Sequence, residues 1–203
     1  MRVIALSLLT TAPAGYRTHD YSVSIAQLPS WVIWLSVVLM VFPALVYLLI
    51  YGWDATWGNL SILALLVEFV VLIVAHELVH AIGWKFASGL PWAKFRFGIL
   101  WQGLAPYCHA IEPMSLQAYR IGAILPLFIT GVLPWLVALV VGDTSLAIVG
   151  ALLISGAVGD IYVIWTLRAL PASVLVQDHT SRVGCVVYMP TDESPQGDDL
   201  LGG

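Results

Sequence analysis

Charge is what this chain has least of. Lys, Arg, Asp and Glu make up 10% of its 203 residues, against about 25% in an ordinary soluble domain. Eight basic residues against twelve acidic ones leave a formal net charge of −4. That balance provides no basic face and argues against a nucleic-acid partner. Only two cysteines occur, Cys108 and Cys185, so no disulfide framework is implied. No internal repeat and no low-complexity linker is visible, which argues for a single domain. What fills the chain is apolar: 60% of residues are hydrophobic, the composition of an integral membrane protein.

Four segments reach the roughly 20 apolar residues that a helical span needs. Their limits are Trp31 to Tyr51, Leu60 to Trp84, Tyr119 to Val141 and Ser145 to Leu167. Pro43, Pro126 and Pro134 lie inside spans, where neighbouring helices can satisfy the carbonyls that proline frees. Trp31, Trp34, Tyr51, Trp53, Trp57 and Trp84 gather near span ends, as amphipathic rings do at a membrane interface.

The basic residues set the orientation. Arg2 and Arg17 precede span one; Lys85, Lys94, Arg96 and Arg120 flank or occupy the connection between spans two and three; Arg168 and Arg182 follow span four. None falls near Asp54 or Asp143, in the two short connections. By the positive-inside rule both termini and the middle loop are expected to be cytoplasmic, with the cell membrane as the location. Residues 1–30 are read as a cytoplasmic or interfacial tail, 31–190 as the four-span domain, and 191–203 as an acidic disordered tail. Arg2, the apolar run Val3 to Leu9 and Ala12-Pro13-Ala14 give the first segment a fainter alternative reading as a secretory signal.

Inside span two stands His76-Glu77-Leu78-Val79-His80. On a helix the two histidines share a face and can hold one Zn²⁺, with the glutamate beside the metal as a general base. Ionisable residues in a membrane span are costly and are read by default as functional. A catalytic zinc generally takes a third protein ligand and keeps a position open for water. Asp160, His109, Cys108, Glu112, Glu68 and His179 are the candidates.

Depth selects among them. The midpoint of the histidine pair lies seven residues before Lys85 and Asp160 lies eight before Arg168, about 10 Å and about 12 Å of helix. Asp160 therefore stands level with the histidines. It sits in Ser155-Gly156-Ala157-Val158-Gly159-Asp160, and such small residues permit close helix approach. Glu68 precedes Glu77 by nine residues, about 180° around the helix, and faces away from that zinc. Tyr107, Cys108 and His109 are assigned a possible substrate-binding or ligand-supporting role in the loop, because loops often carry function. Asp178 and His179 have a weaker claim.

Ahead of those three residues, Phe95, Phe97, Ile99 and Trp101 alternate with other residues. A period of two predicts a short strand. Either it is an edge that adds to an extended substrate, or it belongs to a structural hairpin packed on the bundle.

The HExxH pair in a span, Pro106-Tyr107-Cys108-His109 in the following loop, Gly159-Asp160 in the last span and Asp178-His179 through Gly184-Cys185 together resemble the putative zincin peptidase family of small integral membrane proteins. The resemblance runs from about Ala64 to Tyr188. More distantly, a zinc helix joined by an aspartate from a later span is similar to the site-2 intramembrane metalloproteases. Those typically carry Asn and Pro before an Asp-Gly pair, whereas here Gly159 precedes Asp160 and Ile161 follows.

The expectation is an all-α membrane protein: a bundle of four transmembrane helices whose cytoplasmic loop holds a short β-hairpin. Its expected activity is zinc-dependent hydrolysis of a peptide bond near the cytoplasmic face. Zn²⁺ would sit on His76, His80 and Asp160, Glu77 would be the base, and a membrane-protein or peptide would be the substrate. The alternatives are a metal-ion transporter and a non-catalytic zinc-binding relative that binds membrane proteins. Haem is disfavoured, because two histidines on one helical turn cannot take opposite axial positions.

Overall fold

The four apolar runs become four helices in a computed structural model that describes residues 12–100, 105–179 and 182–191. They are α1 (Ser30–Tyr51), α2 (Ile62–Ser88), α3 (Leu116–Val141) and α4 (Thr144–Thr166), each long and apolar enough to cross a membrane. Three of the four starts are marked by side-chain caps: Ser61 accepts from the Ala64 N–H, Ser115 from Ala118 and Asp143 from Leu146. These hydroxyls and this carboxylate satisfy N–H groups that the first helical turn leaves without partners. Gly89 and Gly142 close α2 and the third helix with φ of 77° and 76°, a left-handed conformation that glycine adopts without strain. The outer faces stay apolar, with Val140 84% and Leu49 75% exposed, as a lipid-facing surface requires.

Two layers of polar contacts align the bundle. At one end the Tyr51 hydroxyl donates to Leu139 O at 2.9 Å, Tyr47 meets Thr144 at 3.2 Å, and the Ser145 hydroxyl joins Ser61 at 3.0–3.1 Å. Toward the other end Ser36 meets Ser155 at 2.8 Å, and Trp31 packs on Tyr162 and Trp165. Pro126 has no N–H for the carbonyl four residues before it, that of Gly122, and His80 of α2 meets this carbonyl with Nδ1 at 3.0 Å, as expected of a proline inside a span. Pro43 and Pro126 use their own carbonyls to accept the Trp135 indole N–H at 3.2 Å and the Thr130 hydroxyl at 2.8 Å. Between Leu127 and Val132 the third helix widens into a π-helical stretch.

All-α was too narrow a reading. The expected hairpin is present, with β2 (Phe95–Leu100) antiparallel to β3 (Ala105–Ala110). A second, four-stranded antiparallel sheet joins β1 (Tyr16–Asp20), β4 (Met114–Ser115), β5 (Leu175–Asp178) and β6 (Cys185–Pro190) in the order β1-β6-β5-β4. Tyr16 pairs with Pro190 and Asp20 with Val186. The connectivity puts every strand at the end of the bundle where α1 and α3 begin and α2 and α4 finish. Cys185, Val186, Val187 and Tyr188 are buried; Val187, Cys185, Val176 and Val174 share one core with Trp84, Tyr119 and Tyr162 of the helices. The sheet is thus packed onto the bundle and shares its hydrophobic interior. Trp101, the acidic run from Asp192 and the apolar run Val3 to Leu9 lie outside the described residues.

Candidate metal centre

In α2, His76 and His80 fall one turn apart, with ring centroids 4.9 Å from each other. Asp160 reaches the same point from α4, just after the helix breaks at Ala157, which has ψ near 0°. Its Oδ2 is 3.6 Å from His76 Nε2 and 3.7 Å from His80 Nε2. Among the described residues these three form the group whose possible ligand atoms all lie within 4.8 Å of one another.

The opposite ring nitrogens decide whether those Nε2 atoms can bind a metal. His80 Nδ1 lies 3.0 Å from the Gly122 carbonyl, which only accepts, so Nδ1 must carry the proton. His76 Nδ1 lies 3.1 Å from the Thr130 hydroxyl, whose own proton goes to Pro126 O; here too Nδ1 donates. In the neutral imidazole both rings then present an Nε2 lone pair toward Asp160, the tautomer that a metal ligand needs. Tetrahedral ligands about 2.1 Å from zinc stand roughly 3.4 Å apart, close to the separations found. The residues present fit a zinc ion.

Two close approaches create this arrangement. A Cβ on Gly83 would stand 2.8 Å from Gly122 Cα, and one on Gly122 would stand 2.1 Å from the Trp84 ring. The two glycines let α2 and the third helix meet closely enough for the Gly122 carbonyl to reach His80. Trp84 then stacks on His80 at 5.2 Å and donates its indole N–H to Tyr119 O at 3.1 Å. Thr130 owes its place to the π-helical stretch, a feature that recurs at functional sites.

Glu77 stands beside the metal group, half-buried, and its Oε2 accepts the backbone N–H of Cys108 in β3 at 2.8 Å. A cavity of about 230 Å³ opens here, lined by Glu77, His80, Tyr107, His109, Asp160 and Asp178, among others. Across it His109 Nδ1 pairs with Asp178 Oδ2 at 2.5 Å, Tyr119 donates to Asp178 Oδ1 at 3.1 Å, and Tyr107 stacks on His109 at 4.6 Å. Burial, then the Glu77 and Asp178 carboxylates, push the Cys108 thiol up; burial does the same to Cys185, with Asp178 and Asp20 adding to it. Both thiols stay protonated and inert. Burial first lowers His179, whose Nδ1 accepts the Arg182 N–H at 3.1 Å.

The structure thus brings His76, His80, Glu77 and Asp160 together and sets Tyr107, Cys108 and His109 around the same cavity. Glu112 pairs with Lys94 instead, and Glu68 is outside the metal group. Sequence reasoning missed Thr130 and the Gly122 carbonyl and underrated Asp178. A lone hydroxyl in an apolar span was the available signal for Thr130; for the Gly122 carbonyl it was Pro126, which has no N–H to offer the carbonyl four residues before it.

The sequence model described as putative zincin peptidase matches residues 69–175, more than half of the chain, and takes in His76, Glu77, His80, His109 and Asp160, while Asp178 lies just beyond it. No curated protein and no solved structure matches.

Proposed function

The chain belongs to the putative zincin peptidase family, and from that membership and the geometry above we propose that it is a zinc-dependent metalloprotease. In this reading it cuts membrane-protein or peptide substrates within the bilayer or at its edge, near the cytoplasmic face. The observation that carries the reading is the tautomer-fixed pair of Nε2 atoms facing Asp160 Oδ2 at 3.6 Å and 3.7 Å, with Glu77 beside them. Three ligands and an adjacent carboxylate are the parts of a hydrolytic site, and a carrier would have no use for the glutamate in that position.

His76, His80 and Asp160 would hold the ion, which when bound supplies a water of lowered pKa and polarises the scissile carbonyl. Glu77 accepts a proton from the attacking water and delivers it to the departing amine. Asp178 and Tyr119 hold His109 against the cavity wall, where it and Tyr107 would contact substrate. The cavity beside Glu77 gives water access to an otherwise apolar setting. Lys85, Lys94, Arg96, Arg120 and Arg168 all lie at or beyond the strand-bearing end of the bundle, which supports placing that end in the cytoplasm.

Glu77→Gln tests the mechanism. Metal content should remain stoichiometric while hydrolysis falls by about 10²–10⁴-fold, and membrane proteomes from cells with the wild-type and variant proteins should differ in the substrate. Undiminished hydrolysis would exclude Glu77 as the base. Zinc flux into proteoliposomes that survives the substitution would favour a carrier.

A further inference from the structure

The hairpin strand β3 faces the metal site with an edge that pairs with nothing in its own sheet. Its partner is β2, and among the described residues no strand lies on its other side. Phe97 opposes Cys108 in this pair, and the Cys108 N–H points away from the ladder, to Glu77. The alternation of an antiparallel ladder then turns the backbone groups of Pro106, Cys108 and Ala110 outward together. The sequence suggested that the strand from Phe95 could offer an edge; the edge that meets the chemistry belongs to β3.

This edge forms a wall common to two cavities. One is the metal-site cavity already described. The other, about 620 Å³, is an apolar groove between α2 and the hairpin, lined by Phe69, Val70, Ile73, Val74, Ile99 and Pro106, and it also touches Glu77 and Tyr107. Glu77 and Tyr107 therefore stand at the junction. Tyr107 can lie there because its cross-strand partner is Gly98, where a Cβ would come 2.4 Å from the Tyr107 hydroxyl.

We propose that the Cys108 N–H is a latch on the general base: an extended segment with apolar side chains that adds to the β3 edge, as peptides commonly add to strand edges, takes this N–H away from Glu77 and so frees it. This rests on the proteolytic reading and names the regulation of its base. An uncovered strand N–H needs an acceptor. In the empty protein the catalytic carboxylate supplies it, which occupies one of the oxygens needed to take a proton from water. A substrate carbonyl on the strand edge replaces the carboxylate, so the base is released when substrate lies along β3. Apolar side chains on one side of Glu77 fill the groove against α2, and the chain beyond it passes His109 and Asp178.

The two functions of Glu77 can be separated with catalytically silent proteins. Glu77→Gln keeps a carbonyl acceptor for the Cys108 N–H; Glu77→Ala keeps none. A fluorescein-labelled decapeptide of alternating Val and Thr flanked by Lys, titrated in detergent micelles by anisotropy, should bind Glu77→Ala about fivefold tighter than Glu77→Gln, the size of one neutral hydrogen bond removed from competition. Adding Cys108→Pro, which deletes only an N–H outside the ladder and is tolerated on an edge, should weaken binding about tenfold and erase the difference. Cys108→Ala, which loses the thiol and keeps the N–H, should bind well above the Pro variant. Equal affinity of the two Glu77 variants, or no binding of this peptide to either, overturns the proposal even if Cys108→Pro fails to accumulate. Coupled binding without hydrolysis by the wild-type protein would sink the proteolytic reading alone; hydrolysis without the coupling would sink only the strand exchange.

Discussion

Where α1 hands over to α2 and the third helix to the fourth, Ser61 and Ser145 bond to each other and Tyr47, Tyr51 and Thr144 find partners within the same layer. At the strand-bearing end, His76, His80 and Asp160 instead turn polar atoms toward a common point, and the hydrogen bonds of the two histidines lie on their far sides. The first layer is complete without a ligand; the second is arranged around one. Polar side chains inside a bundle are thus not equivalent, and which side of each group is already satisfied separates helix-joining contacts from chemistry.

Substitutions at the two ends should break this contrast or sharpen it. The largest effect is expected at the ligands: Asp160→Ala or His76→Ala should reduce zinc from stoichiometric to background by elemental analysis and abolish hydrolysis, while stoichiometric zinc in Asp160→Ala would sink that assignment. Next, Thr130→Val removes the group that receives the His76 Nδ1 proton. Zinc affinity should fall about 10–100-fold by competition with a chelating dye. Ser145→Ala, at the other end, should lower resistance to denaturing detergent by only about 0.6 kcal/mol and leave zinc binding unchanged; a change in zinc affinity there would dissolve the contrast.

The smallest expected effect concerns the sheet. Burial lowers the His179 pKa, and its ring accepts the Arg182 N–H in the neutral form. With the folded value below the unfolded one, this stability is fully present above about pH 6.5 and is lost as pH falls through the folded value. The drop in melting temperature from about pH 7.5 to about pH 5 should therefore be smaller in His179→Asn than in the wild-type protein. An equal drop would remove His179 from the account.

The spans were legible because hydropathy is summed locally, and observed limits differ from those read in the sequence by at most a few residues. Asp160 was legible because helical rise converts residue counts to depth, and its Oδ2 indeed lies level with both histidines. The hairpin followed from the alternation at Phe95 and Phe97, of which only the first is buried. The four-stranded sheet was not legible. β1 is Tyr-Arg-Thr-His-Asp, its partner lies some 170 residues away in the chain, and β4 is two residues long. None of these carries a periodic signal, and pairing across that distance is written only in the folded core. The His109–Asp178 pair spans 69 residues and was hidden for the same reason.

The π-helical stretch from Leu127 to Val132 spends one more residue per turn than the helix on either side of it. It acts as a phase shifter. Deleting a single residue there would rotate one half of the third helix against the other by about 100°. Gly122 and Thr130, which receive the protons of His80 and His76, would then no longer share a side. A one-residue deletion, harmless to hydropathy and invisible to a span count, would unset both histidine tautomers at once.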